Sequence, residues 1–258
     1  MKWRRRIHHV REAIALSERE TAPDDHTKTE EELPTIDRRS LLFGLAPTAI
    51  VGMAGCAPKT VAPEPASYSP AYFGATEWAF LQAAVDRFIP SEGAGPGGVD
   101  LGVPEFIDRQ MEMPYGHGAY FYLTGPFVED APPTLGYQLR YTPREIYRIG
   151  IAAANTSALK SHGKVFADLP IEAKDALLHE METGRVDFGP LPASVFFGQL
   201  LENTREGYFA DPLYGGNRGM AAWKWIGFPG ARADFTDWID QAGRKYPYGP
   251  VAISGARS

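Results

Sequence analysis

Beyond residue 75 the apolar side chains recur at three- and four-residue steps, the period of a helix with one buried face. Trp78, Leu81, Val85, Phe88 and Ile89 share such a face, and Pro90 stops the run. Thr76-Glu77 supplies a capping residue and a first-turn acid. Val103-Pro104-Glu105-Phe106-Ile107 predicts a short second helix with proline in its first turn. Thr142-Pro143-Arg144-Glu145 is a capping box, and predicts a helix to about Lys160 with Ile146, Ile149, Ala153 and Ala154 turned inward. A further helix is predicted over 171–181 and closed by Gly184. Another opens at Pro192 and runs to about 209, burying Val195, Phe196, Leu200 and Leu201. Turns rich in Gly, Pro and Trp, with short helices, follow as far as Trp238 and Ile239. No pair of alternating segments predicts strands, and no internal repeat is present. The expected fold is all-α: a single irregular helical domain over 71–258 with long ordered loops.

The first seventy residues break this pattern. Residues 1–37 are charged, almost without apolar periodicity, and their acidic stretch over 21–32 has a disordered composition. Arg38 and Arg39 then precede a mildly apolar run through Ala54, which falls short of the ~20 residues a membrane-spanning helix needs. Polar region, arginine pair and apolar run, in that order, match the twin-arginine export signal over 38–56. Asp37 stands where that signal usually has Ser or Thr. Met53-Ala54-Gly55-Cys56 resembles a lipoprotein cleavage box, which makes Cys56 a candidate lipidation site. One acylated terminus would anchor the chain to a membrane without spanning it. Residues 57–70 hold four prolines and read as an extended tether.

Charge and cysteine count narrow the chemistry. The 258 residues carry a formal net charge of −6, and the part after Cys56 holds 17 Lys and Arg against 23 Asp and Glu. Such a surface does not suit a nucleic-acid partner, which needs clustered cations. Cys56 is the single cysteine, so no internal disulfide, Cys-x-x-Cys-His haem attachment or Cys-rich metal cluster can form. Gly93-Ala94-Gly95-Pro96-Gly97-Gly98 satisfies G-x-G-x-x-G in form, but a helix rather than a strand precedes it. That context makes it a flexible loop, not a dinucleotide site. His179-Glu180 begins the zinc-protease pattern, yet Thr183 occupies the place of the second histidine. His117 and His162 have no ligand partner at helical spacing. Asp234 and Asp237 have the spacing of ordinary capping acids. Catalytic and metal sites are therefore expected to be absent.

The richest stretch is Asn203-Thr204-Arg205-Glu206-Gly207-Tyr208-Phe209-Ala210-Asp211-Pro212-Leu213-Tyr214-Gly215-Gly216-Asn217-Arg218, continued by Trp223-Lys224-Trp225. Gly215-Gly216-Asn217 permits a tight left-handed turn, and Arg218 is placed to fork onto a carboxylate. Asn203, Glu206, Tyr208, Asp211, Tyr214, Gly215, Gly216, Asn217, Arg218 and Trp223 form a candidate partner interface, since Trp, Tyr and Arg are the preferred anchors of protein contacts. An internally satisfied loop is the competing reading.

The run Glu206-Gly207-Tyr208-Phe209-Ala210-Asp211-Pro212, with Tyr214-Gly215-Gly216-Asn217-Arg218 and Ile226-Gly227-Phe228-Pro229-Gly230-Ala231, resembles the gluconate 2-dehydrogenase subunit 3 family. Phe106-Ile107-Asp108-Arg109-Gln110, Leu135-Gly136-Tyr137-Gln138-Leu139-Arg140 and the leader resemble it too, and the likeness spans 73–253. The resemblance implies a non-catalytic small subunit of a membrane-bound dehydrogenase acting on gluconate, related sugar acids or sugars. It implies no cofactor on this chain, FAD in a large subunit of the glucose–methanol–choline type, and haem c in a multihaem cytochrome c partner. It also implies a periplasmic location, peripheral to or anchored at the inner membrane, reached through the twin-arginine translocase with the flavoprotein as folded cargo. The alternative is a stand-alone periplasmic lipoprotein that binds a small sugar acid, with Arg218 and Asn217 as donors.

Overall fold

The computed structural model describes residues 68–91, 95–128 and 131–257. The charged region, Arg38, Arg39, Cys56 and most of the proline-rich tether lie outside the described residues. Among the described residues the regular structure is helical. Its α-helices are α1 (Ala75–Phe88), α2 (Val103–Glu112), α3 (Pro143–His162), α4 (Ile171–Glu182), α5 (Ala193–Phe209) and α6 (Ala221–Ile226). Short 3-10 turns join them, and extended pairing is limited to isolated bridges from Val251 to Gly230 and to Arg257.

The stop and start signals explain most boundaries. Thr142 and Glu145 close the reciprocal box at the start of α3: the Thr142 N–H donates to Glu145 Oε2 at 2.8 Å, and the Glu145 N–H donates to Thr142 Oγ1 at 3.4 Å. Gly163, in the left-handed region at φ 67°, ends that helix. At α1 the cap is Gly74 rather than Thr76; its N–H donates to Glu77 Oε2 at 2.8 Å, so Glu77 supplies the reach-back half of a box that glycine cannot complete.

Helix α5 is the centre of the domain, packing on α2, α3, α4 and α6. Phe196 on α5 meets Phe80 of α1, Tyr147 of α3 and Phe188, with ring centroids 6.0 to 6.1 Å apart. Phe80 also packs on Phe166, at 4.5 Å. A Cβ on Gly150 of α3 would fall 2.2 Å from the Phe196 ring. A glycine inside a helix costs about 1 kcal/mol, whereas burying a phenylalanine gains about 1.5–3 kcal/mol. The close crossing of α3 on α5 therefore repays the weaker helix. The inward faces differ slightly from the periodic expectation: Tyr147, Gly150, Ile151 and Ala158 are buried on α3, while Ile149 and Ala153 are half-buried. On α5 the buried set runs from Ala193, Phe196, Phe197 and Leu200 to Asn203, Thr204, Gly207 and Tyr208, and Val195 and Leu201 lie at its margin. Helix α2 fits against α5 through Phe106 over Gly207.

Polar groups fix the edges of this core. Arg87 of α1 grips Asp175 of α4 in a bidentate pair, at 2.8 and 3.1 Å. Asp108 of α2 is fully buried and accepts from the Ala71 N–H and Tyr68 hydroxyl on Oδ2, and from the Tyr72 and Phe73 N–H groups on Oδ1, at 2.7 to 3.0 Å. Segment 68–73 is thus fastened across α2, with Tyr72 and Phe73 buried beneath it. The guanidinium groups of Arg144 and Arg148 lie over the Tyr72 ring, 4.6 and 4.3 Å from its centroid. The glycine loop before α2 is tied down from Gly95: the Gly98 N–H donates to Ile89 O at 2.8 Å, and the Tyr208 hydroxyl donates to Pro96 O at 2.9 Å. It is held in place where the composition suggested a flexible loop, and no strand adjoins it.

Candidate functional site

Residues 211–218 leave α5, turn twice and return to the start of α2. Asp211 starts the first turn by accepting from the Leu213 N–H at 3.0 Å, through Oδ1. Gly215 continues it at φ 103°, a conformation that favours glycine. Gly216 then passes so close to α5 that a Cβ there would sit 2.0 Å from Gly207 O. Asn217 follows in the left-handed region at φ 45°, which asparagine tolerates better than most residues. Its side chain is fully buried and doubly engaged: Nδ2 donates to Ala210 O at 3.0 Å, and Oδ1 accepts from the Ala222 N–H at 2.9 Å. The expected left-handed turn is present, and the asparagine locks it.

Arg218 emerges at the end of this turn. Its N–H donates to Leu101 O at 3.1 Å, and its guanidinium pairs with Glu105 in the first turn of α2. Arg109, one helical turn further along α2, pairs with the other oxygen of the same carboxylate. The carboxylate expected opposite Arg218 is therefore supplied by this chain. The Glu105 side chain is 10% exposed, while those of Arg109 and Arg218 are 47% and 53% exposed. Glycines make this geometry: a Cβ on Gly102 would strike Arg218 Nε at 2.8 Å, and one on Gly215 would meet Arg109 Cδ at 3.0 Å.

The structure brings the ten candidate interface residues into one region but turns most of them inward. Asn203, Tyr208, Asp211, Gly215, Gly216, Asn217 and Trp223 are buried, whereas Glu206, Tyr214 and Arg218 are exposed. Asn203 accepts from the Tyr147 hydroxyl at 3.1 Å, and its Nδ2 donates to Tyr115 Oη at 3.1 Å and Glu206 Oε2 at 2.9 Å. Desolvation raises the Tyr147 pKa well above its ordinary value, so that hydroxyl stays a donor. Burial likewise pushes Tyr208 up to about 12. The Trp223 indole donates to Phe209 O at 2.8 Å and packs edge-on against Phe228. Asn217 is fully buried, with its amide bonded to Ala210 O and the Ala222 N–H, so it does not present a donor to a sugar acid beside Arg218. Replacing Asn203 with leucine is expected to cost about 1–3 kcal/mol, because two tyrosine hydroxyls lose their buried partner. A urea midpoint unchanged from the parent would refute that assignment.

The remaining candidates have local duties. Asp234 accepts from Thr236 through its N–H at 3.0 Å and its hydroxyl at 2.7 Å, and those two bonds lower its pKa and tie it into the local turn. Asp237 pairs with Arg232 at 2.5 Å. His117 lies against Arg144, and His179 Nδ1 is 3.4 Å from Glu182 Oε2. Among the described residues no group of three His, Cys, Asp or Glu side chains is placed to hold a metal ion. No helix among them is long and apolar enough to cross a membrane.

Periodicity and motifs do not single out Glu105 and Arg109, which meet Arg218, or Asp108, which fastens residues 68–73. The i, i+4 spacing of Glu105 and Arg109 was a visible signal; the closure by Arg218, more than a hundred residues away, was not. A family model described as gluconate 2-dehydrogenase subunit 3 matches residues 75–230. No curated protein and no solved structure matches the chain.

Proposed function

The chain belongs to the gluconate 2-dehydrogenase subunit 3 family, an accessory subunit of a dehydrogenase complex, and we propose that it binds, stabilises and co-exports an FAD-containing large subunit. The observation that carries this reading is the family match, which covers α1 to α6 and the whole of the 211–218 turn. The geometry supports it in one respect. Buried asparagines, close-packed glycines and a shared carboxylate make a rigid shelf, and rigid presentation lowers the entropy that association must overcome. In this reading the electron-transfer chemistry lies in the partners: FAD in a large subunit of the glucose–methanol–choline type, and haem c in a multihaem cytochrome. The chain reaches the periplasm by the twin-arginine route, which carries folded cargo. Cys56, if lipidated, holds the complex at the inner membrane.

Two measurements test the proposal. Co-expression of the flavoprotein subunit with the full chain is expected to yield a co-purifying pair and periplasmic dehydrogenase activity. Equal periplasmic activity without the chain, and no co-purification with it, would sink the reading. Changing Arg38 and Arg39 together to Lys is expected to leave both proteins in the cytoplasm while the pair still assembles. Unchanged periplasmic levels of both would remove the twin-arginine route from the proposal.

A further inference from the structure

We propose that the cationic pair Arg109 and Arg218, with exposed Leu213, Tyr214 and Ile253, is the surface that receives the flavoprotein, and that an acidic side chain of that partner seats between the two guanidinium groups. The inference rests on the proposed function above and assigns the face that performs it.

Four observations converge on this face. First, Arg109 and Arg218 meet on opposite oxygens of Glu105, so their positions are set before any partner arrives. Each commits one terminal nitrogen to Glu105, and the side chain of each is about half exposed. Second, on a chain of net charge −6, the two guanidinium groups outweigh the Glu105 carboxylate they share. The other carboxylate of this face, Asp211, is buried with both oxygens on backbone N–H groups. An acidic partner group is attracted at this spot and repelled over much of the remaining surface, which is how charge sets orientation. Third, apolar area adjoins the pair. Gly215 lies against the Arg109 side chain and directly follows Tyr214, and Leu213 precedes it. Asp211 Oδ2 accepts from the Ile253 N–H at 2.7 Å, while Oδ1 accepts from the Leu213 N–H, so one buried carboxylate sets Leu213 and Ile253 side by side. Leu213, Tyr214 and Ile253 are 55%, 42% and 59% exposed. Fourth, tyrosine and arginine beside aliphatic side chains is the composition of protein-interface anchors.

The occupant follows from charge and rigidity. An anionic bilayer would be repelled by the net charge of the folded part, and it has no use for two guanidiniums fixed at one spacing. A carboxylate in a protein surface uses both: the planar forks match its oxygens, and the surrounding aliphatic groups exclude water and strengthen the pair.

The test uses the full chain co-expressed with the FAD-containing subunit. Leu213→Asp and Ile253→Asp change side chains whose backbone amides alone are used internally, and Arg218→Gln with Arg109→Gln removes the charges. The aspartate pair and the glutamine pair are each expected to reduce co-purified flavin at least tenfold, while Tyr122→Asp, at a residue 80% exposed elsewhere, leaves it unchanged. Urea midpoints of the isolated variants show whether each is folded; the aspartate pair stands if the glutamine pair is not. Retention of flavin by the folded variants, alongside wild-type binding, overturns the assignment and leaves the proposed function intact. Failure of the wild-type chain to retain flavin overturns both. If the isolated chain is a dimer that the aspartate pair splits, the face belongs to a second copy. If vesicles of phosphatidylethanolamine and phosphatidylglycerol bind the parent but not the aspartate pair, it belongs to lipid; either result also overturns the assignment.

Discussion

Asp108→Ala lowers stability by about 3–5 kcal/mol, the cost of stripping a buried charged acceptor from its donors. For a domain of this size that is a fall in melting temperature of roughly 10 °C. The carboxylate is fully buried in the middle of α2 and accepts four hydrogen bonds, three from consecutive backbone N–H groups at 71–73. Those amides have no intrahelical partner, and the alanine variant leaves them orphaned inside the protein. Asp108→Asn separates charge from shape. Its single carbonyl oxygen serves one pair of donors and turns an amide nitrogen toward the other pair. The Tyr68 hydroxyl can rotate to accept from it, but the Ala71 N–H cannot. The asparagine variant is therefore expected to lose most of the same stability. Thermal unfolding followed by circular dichroism measures both, and a loss under about 1 kcal/mol in the alanine variant would refute the role.

Gly216→Ala is the second large effect. Its added methyl would lie 2.0 Å from Gly207 O and 2.9 Å from the Gly207 carbonyl carbon, both in the rigid backbone of α5. Gly207 itself lies against the Phe106 ring of α2, where an added Cβ would come within 2.7 Å. Loop, α5 and α2 thus meet at Gly207 with no room for added atoms, and the loop is the one that can lift. The expected loss is about 3 kcal/mol, the upper end of the range for overpacking. Lifting the loop also removes Arg218 from Glu105, so co-purification of the flavoprotein should fall with stability. Urea unfolding and retained flavin are the two readouts. A variant as stable as its parent and still partnered would show that the layers can separate.

What the sequence disclosed about the fold is concentrated at helix ends. Pro90, the Thr142–Glu145 box, Gly184 and Pro192 act through their own backbone, and a local cause leaves a local trace. The helical period then placed Phe196, Leu200 and Ile146 in the core. It placed Asn203 and Asn217 less well, because asparagine ordinarily lies outside; Asn203 is buried by the distant Tyr147, and Asn217 by its bonds to Ala210 and Ala222 across the turn. Asp108 is the same case. Its donors lie more than thirty residues earlier, and no periodicity links a carboxylate in α2 to a segment that belongs to no helix. At the candidate site the left-handed turn and the pairing of Arg218 with a carboxylate were legible from residue type, although one guanidinium nitrogen, not a fork, makes the contact. Glu105 as the receiving carboxylate was not, since pairing across 113 residues depends on how α2 and α5 dock.

The attachment of residues 68–73 to α2 has a mechanical consequence. A tensile load applied through the chain before Tyr68 would arrive at Asp108, in the body of a buried helix, before it reached α1. The pull would be shared by several short bonds and carried sideways into the α2–α5 contact, so the first helix would be shielded from being peeled away end-on.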